Sequence, residues 1–478
     1  MALNSVGYNR PRILIAGMHS GVGKSSITLA LVAALRRRGL KVQTFKVGPD
    51  YLDPGHLAQV SGRPCYNLDG WMMTKNDVQQ LFCRVSASAD ISLIEGVMGL
   101  FDGSSSESLS GSSAEIATWL HVPVALVVNS HGMARSIAAL VKGYHEFEPQ
   151  VKVAGVIANR CGSASHVDLL KKALASGGQP PLVGAVRRDS LPPLASRHLG
   201  LVSAPEQPLA EELLNQLADV AETQIDLDLF LNQARAARSL RWEDSSLPAK
   251  NPVQAEPPML CRLAVAKDEA FQFYYADFFN LLKSLHCEPV FFSPLCDGAL
   301  PVDVDGLYLG GGYPEVYAKQ LAENVSMLRS VANFCQSGRP VYAECGGLIY
   351  LTRGIEQPQQ KIPLVGVLPV WTRMLEKRKA LGYVEVTLEK DSLFGGRGEV
   401  FRGHEFHYSE LVESPAGKDG WKTVYQLKQN RSGTYHIEGY QKGNILASYV
   451  HLYFACRPKA VIRFMVSMRT TSDRGSSE

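Results

Sequence analysis

Two short glycine-rich stretches, far apart in the chain, carry the side chains best suited to chemistry. The first is Gly17-Met18-His19-Ser20-Gly21-Val22-Gly23-Lys24-Ser25-Ser26, set between an apolar run and a helical pattern. Glycines here let backbone N–H groups wrap an anion with no Cβ in the way, and the helix N-terminus adds partial positive charge. Lys24 can reach the β- and γ-phosphates of a nucleotide and Ser25 can ligate Mg²⁺. Gly17, Gly21, Gly23, Lys24, Ser25 and Ser26 are therefore an expected phosphate loop. The common spacing would put its first glycine at Met18; here it stands one residue earlier, at Gly17.

Acids follow at the ends of later apolar runs, in Lys46–Pro54 and Glu95–Gly103. Mg²⁺ takes hard oxygen ligands and keeps several waters, so one or two carboxylates suffice. Asp50 and Glu95, with Ser25, are the expected metal ligands; Asp53 and Asp102 are expected to hold metal or orient a substrate. Each could instead cap a helix or turn. Asn159 closes another apolar run, where an Asn can read a nucleobase edge or simply serve a turn.

The second stretch is Glu344-Cys345-Gly346-Gly347, after the apolar Val341-Tyr342-Ala343 and before a helical Leu348–Thr352. A strand-to-helix turn presents a nucleophile at a helix N-terminus, which is expected to lower the Cys345 thiol pKa. Backbone N–H groups of Gly346 and of the Gly310-Gly311-Gly312 run can stabilise an oxyanion. His451, far downstream, can serve as the base. Arg402-Gly403-His404-Glu405-Phe406-His407 looks metal-like, but its histidines are three apart, not four, and its surroundings read as strand. A substrate or structural role is expected there, not zinc.

These residues need strands ending beside them. From Pro11 to about Ala204, Ile13–Ala16, Val42–Val47, Ile91–Glu95, Val124–Asn129 and Val153–Asn159 are short apolar runs, the pattern of parallel strands buried on both faces. Lys24–Arg38 reads as a helix whose Arg36-Arg37-Arg38 and Gly39 suit a C-terminus better than a nucleic-acid patch. Glu211–Arg238 reads as helical, and Ser245–Pro258, with four prolines, as a linker. A second series follows: Leu263–Ala266, Pro289–Phe292, Leu307–Leu309, Val341–Ala343 and Ile445–Val450. The tail after about Met468 is polar and expected to fray. The expected division is 1–204, a helical connector and linker 205–258, a second α/β domain 259–460 and a tail 461–478.

Composition narrows the class. The chain has 478 residues, with 49 Lys and Arg against 46 Asp and Glu, so a net +3 gives no electrostatic reason for a nucleic-acid or membrane partner. With 45% apolar and 20% charged residues it reads as globular. No run is apolar enough to span a membrane, and Met1–Arg12 lacks the pattern of a signal peptide. Nine scattered cysteines without a Cys-x-x-Cys pair suggest a reduced, cytoplasmic protein.

At this point a resemblance is plain. The loop is similar to that of dethiobiotin synthetase, Gly-x5-Gly-Lys-Ser/Thr, and lacks the extra lysine of partitioning ATPases, replaced here by His19. Lys46–Pro54, Glu95–Gly103, Arg197–Gly200, Leu309–Glu315, Ala343–Gly347 and Gly403–Ser409 together resemble the cobyrinic acid a,c-diamide synthase family, from about Pro11 to Pro458. The second half resembles class I glutamine amidotransferases. The resemblance implies a dethiobiotin synthetase-like P-loop sheet domain followed by an amidotransferase-like α/β domain. It implies that glutamine is hydrolysed through a Cys345 thioester with His451 as base, and that MgATP activates carboxylates a and c of a corrinoid for amidation. It also implies that the halves share a path for ammonia. Partners would be the corrinoid polycarboxylate, glutamine and ATP, with a homodimer compatible. Relatives acting on hydrogenobyrinic acid or nickel-sirohydrochlorin share these motifs. A P-loop switch ATPase with an inactive glutaminase half is the alternative of another class, and a stand-alone glutaminase a third. Two departures stand out: Ala343 replaces the elbow's first glycine, and Tyr453 stands where the triad acid, two residues after His451, is usual. Either the pair works as a dyad or another acid orients His451.

Overall fold

The computed structural model describes residues 5–193, 208–243, 260–357, 360–377 and 379–475. The Arg197–Gly200 motif and the Ser245–Pro258 linker lie outside the described residues. The chain divides into two compact units, Met1–Ala249 and Lys250–Glu478.

The first unit is built on a seven-stranded parallel sheet. Its order is Tyr66–Leu68, Val42–Val47, Ile91–Gly99, Arg12–Gly17, Val124–Asn129, Val153–Cys161, Leu182–Arg187. The chain reverses its direction of growth around Arg12–Gly17, so the loops after that strand and its neighbours meet at one carboxyl edge. Helix Lys24–Arg37 covers one face, with Ile27, Leu31 and Leu35 buried. The expected helical segment Glu211–Arg238 forms two helices, Glu211–Gln224 and Leu227–Arg235. Ile225 leaves the helix to bridge Gly184, and Asp226 caps the second helix by accepting from the Leu229 N–H at 2.9 Å. Leu217, Ala221, Phe230 and Ala234 share a core with Ile27 and Leu31, so this segment packs into the first unit. Arg37 pairs with Asp219 and Glu222, and Arg38 with Asp228, which accounts for two residues of the basic triplet.

The second unit centres on a ten-stranded mixed sheet. Cys287–Phe292, Cys261–Ala266, Gly306–Leu309, Val341–Glu344 and Ile445–Ser448 run parallel. Tyr435–Lys442, Lys422–Gln429, Ala380–Leu388, Val400–His407 and the short His451–Leu452 continue it antiparallel. Ser448 and His451 are close in the chain, at most about 10 Å apart, yet their strands lie five places apart in the sheet. The antiparallel half must therefore curl back on itself.

The expected start of the tail at 461 is corrected by the structure, because a helix continues across it. Helix Pro458–Gly475 runs through Met468, with Val461, Phe464, Met465 and Met468 buried. Its apolar period, hidden by polar neighbours, is what packs it down. Among the described residues no helix is long and apolar enough to cross a membrane.

Candidate functional site

The phosphate loop leaves strand Arg12–Gly17 and enters helix Lys24–Arg37 through Gly23, at φ 98°. A Cβ on Gly23 would be strained by that φ and would also meet the Asn159 amide nitrogen at 2.3 Å. His19, Ser20 and Gly21 are exposed, and the first intrahelical bond runs from Ile27 N–H to Gly23 O. The Lys24, Ser25 and Ser26 N–H groups thus precede the helix's own ladder, the set that receives phosphate at such termini. Lys24 folds across its loop and donates to Met98 O at 2.5 Å and His19 O at 3.4 Å. Burial, with the like charge of Lys46, lowers its pKa to about 8.

The acids gather, but around a lysine that sequence reasoning passed over. Lys46 Nζ is 2.5 Å from Asp53, 2.7 Å from Glu95 and 3.9 Å from Asp50. Burial would lower its pKa, but these carboxylates outweigh that and raise it. Burial would raise Asp53, but Lys46 holds it below the usual carboxylate range. Asp50 is pushed up, by burial and by the charge of Asp53. Glu95 is raised to about 7, by burial against the pull of Lys46. Ser25 Oγ donates to Glu95 Oε1 at 2.7 Å, while Glu95 Oε2 is buried with no hydrogen-bond partner among the described residues. A buried carboxylate oxygen left orphaned beside a hydroxyl suits a hard cation, so Ser25 and Glu95 fit Mg²⁺ chemically. Among the described residues no group of three His, Cys, Asp or Glu is arranged to hold a metal by itself.

Other expected residues have local partners. Asp50 Oδ1 accepts from Leu52 N–H at 2.8 Å, and Asp102 Oδ2 from Gly99 N–H at 2.9 Å. Asn159, at the end of strand Val153–Cys161, braces the loop. Its amide donates to Val22 O at 2.8 Å and accepts from Arg160 N–H at 2.8 Å.

In the second unit, Cys345 stands at φ 46°, ψ −98° between strand Val341–Glu344 and helix Gly346–Leu351. A non-glycine residue held there is strained by about 1–3 kcal/mol, a mark of functional turns. The surroundings hold it: its N–H donates to Ser448 O at 2.7 Å. The glycines beside it provide space. A Cβ on Gly347 would meet Leu309 O at 2.1 Å, and one on Gly346 would lie 3.0 Å from Gly312 N. One on Gly311 would meet His451 Cε1 at 2.4 Å. Gly311, Gly312, Gly346 and His451 are thereby brought together at the elbow.

The thiol pKa goes the opposite way from expectation. Burial, reinforced by the charges of Glu315 and Glu344, pushes it up, and a helix of one or two turns does not compensate. His451 is also buried, and burial, with His404 and His407 nearby, lowers its pKa well below the ordinary value. The resting pair is therefore thiol and neutral imidazole.

The metal-like segment lies in strand Val400–His407 and lines this site. His404 stacks on His451 at 4.9 Å between centroids, and Phe406 O lies 3.8 Å from Cys345 Sγ. Gly403 lets His451 pair beside it, since a Cβ would meet His451 O at 2.3 Å. Sequence reasoning missed three residues: Lys46, His404 as a neighbour of the base, and Glu344. Glu344 carried a signal, as the charged residue that ends strand Val341–Glu344.

Residues 13–201 match the family described as CobQ/CobB/MinD/ParA nucleotide binding domain, and residues 262–459 match CobB/CobQ-like glutamine amidotransferase domain. The class is thus a P-loop nucleotide-binding domain joined on one chain to a glutamine amidotransferase domain. Cobyrinate a,c-diamide synthase of Syntrophotalea carbinolica is 53% identical over 456 residues, covering 95% of this chain and 98% of the relative. Those of Leptospira interrogans (43% identical; 96% and 98% covered) and Methanosarcina barkeri (40%; 93% and 93%) are similar along the same length. The chain belongs to the cobyrinate a,c-diamide synthase family.

Proposed function

We propose that this protein amidates the a and c carboxylates of cobyrinic acid in cobalamin biosynthesis, using ATP and glutamine in a cytoplasmic setting. The observation that carries the reading is the union, on one chain similar end to end to these synthases, of the Lys24 loop with the strained Cys345 elbow. A carboxylate is a poor electrophile and its acyl phosphate a good one. The corrinoid carboxylate attacks the γ-phosphorus, ADP leaves, and ammonia then displaces phosphate to give the amide.

Lys24 exchanges the Met98 and His19 carbonyls for phosphate oxygens and neutralises charge on the transferring group. Gly17, Gly21, Gly23 and Ser26 give the loop its backbone contacts. Ser25, Glu95 and Asp50 would hold Mg²⁺, which supplies charge neutralisation at the phosphates. Asp53 and Asp102 orient the substrate. In the glutaminase half, His451 takes the thiol proton only as Cys345 attacks the glutamine amide, which matches a resting pair with no charge. N–H groups of Gly311, Gly312 and Gly346 receive the oxyanion. Ammonia leaves, and water hydrolyses the thioester.

Mass spectrometry of products from candidate tetrapyrrole acids with MgATP and glutamine tests the reading. Two amides on cobyrinic acid are expected. Their absence there, with amides on hydrogenobyrinic acid or nickel-sirohydrochlorin, would reassign the macrocycle; ATP hydrolysis independent of all three acids would indicate a switch ATPase.

A further inference from the structure

Tyr453 occupies the place of the usual triad acid, and its hydroxyl donates to Asp277. A different acid faces the base. Glu344 Oε2 lies 3.9 Å from His451 Nδ1, and both side chains are buried, at 2% and 1% exposure. We propose that Glu344 is the positioning residue of the glutaminase, holding the His451 imidazole through Nδ1 so that Nε2 is left to take the Cys345 proton.

Three features carry this. First, the carboxylate is fixed: Oε2 accepts from Tyr308 OH at 2.6 Å, and Oε1 from Tyr342 OH at 2.7 Å. Second, Oε1 also accepts from the Leu452 N–H at 3.1 Å, the peptide immediately after the base. One carboxylate therefore grips the backbone beside His451 and faces its ring. Third, the next residue along the chain is the nucleophile, so a single strand end sets both members of the pair. The 3.9 Å separation exceeds a hydrogen bond, and such contacts are commonly long before substrate binds. A carboxylate at Nδ1 selects the Nδ1–H tautomer and stabilises the imidazolium as it forms. The other groups around the ring are a poor match for that role. His404 stacks on it, takes a contact from Tyr275 OH at 3.3 Å, and is held neutral by burial, its pKa lowered to about 3. His407 is tied to Ser409 O through Nδ1 at 2.7 Å, and Phe273 and Gly311 pack against the ring without charge.

This inference rests on the proposed glutaminase reaction. The test is a pair of variants of the full chain, assayed with glutamine and with ammonia over pH. Glu344→Gln should lower kcat with glutamine about 10²-fold, with KM for glutamine and the ammonia-driven rate changed less than about twofold. Its acid limb should move to lower pH, because the titrating carboxylate is gone. Burial raises the Glu344 pKa to about 7 while the tyrosine hydroxyls restrain it. Tyr308→Phe removes one restraint, so its acid limb should move to higher pH. Wild-type kcat and an unmoved limb in Glu344→Gln would overturn the inference. If that variant also loses ammonia-driven activity through misfolding, an unmoved limb in Tyr308→Phe overturns it instead. Undiminished glutamine use in Cys345→Ser would instead remove the glutaminase reaction itself.

Discussion

The phosphate loop and the nucleophile elbow share one local plan, a parallel strand, a glycine-rich turn and a helix N-terminus, yet the glycine without a neighbour stands only in the loop. In the loop, Gly21 and Gly23 take positive φ, and a Cβ on Gly21 would meet nothing within 4 Å. Conformation is the need at Gly21, whereas Gly23 needs both conformation and space, since its Cβ would also meet the Asn159 amide. In the elbow, Cys345 itself takes the positive φ, while Gly346 and Gly347 sit where a Cβ would strike neighbours. Space is the need there. The charge pattern differs too. The loop has two buried lysines among carboxylates; the elbow has histidines, tyrosines and Glu344. Burial nonetheless drives both key groups the same way, toward neutrality: it lowers Lys24 and raises Cys345. Lys24, its pKa at about 8, still keeps its charge at neutral pH, whereas Cys345 acquires its working charge only when its substrate arrives.

The sharpest way to break this comparison is to disable each half in turn. Lys24→Ala should cut amidation about 10³-fold with either glutamine or ammonia. Cys345→Ser should abolish glutamine use and leave the ammonia-driven rate intact. Retained ammonia-driven amidation in the first would count against Lys24 as a catalytic residue, and its loss in the second would show that the halves are not chemically separate.

The glycine contrast gives a smaller effect. Gly347→Ala should destabilise by about 3 kcal/mol, because backbone must move. Gly21→Ala should cost about 1 kcal/mol, for the φ alone. Urea unfolding midpoints decide it, and equal losses would erase the distinction between space and conformation.

The smallest effect is protonic. Phosphate favours charged Lys24, so nucleotide binding should take up about half a proton near pH 8, rising toward one near pH 9, below the ordinary lysine value near 10. Titration calorimetry in buffers of different ionisation enthalpy measures this. Inactivation of glutamine use by iodoacetamide should conversely rise only above the ordinary thiol range near pH 8.5, since the Cys345 pKa is raised. A midpoint below that would mean the helix end outweighs burial.

Much of this was legible in the chain. The loop, the Cys345 turn and most strand positions are local: a handful of neighbouring residues carries the glycine spacing, the apolar run and the helix start. The tail boundary at 461 fell inside a helix because its buried Val461, Phe464, Met465 and Met468 are diluted by polar residues on the other face. The break at Ile225 was missed because a bridge to Gly184, not a local breaker, pulls that residue out.

The sequence by itself determined which residues could act and on which strand ends they stand, because those properties depend on near neighbours. Tertiary structure alone decided what surrounds them. Lys46 meets Asp53 and Glu95 only because their strands are adjacent in the sheet. His404 reaches His451 only because ten strands curl until Val400–His407 pairs with His451–Leu452. Burial then reverses the thiol shift that a helix N-terminus would predict, since removing a charge from water outweighs the field of so short a helix.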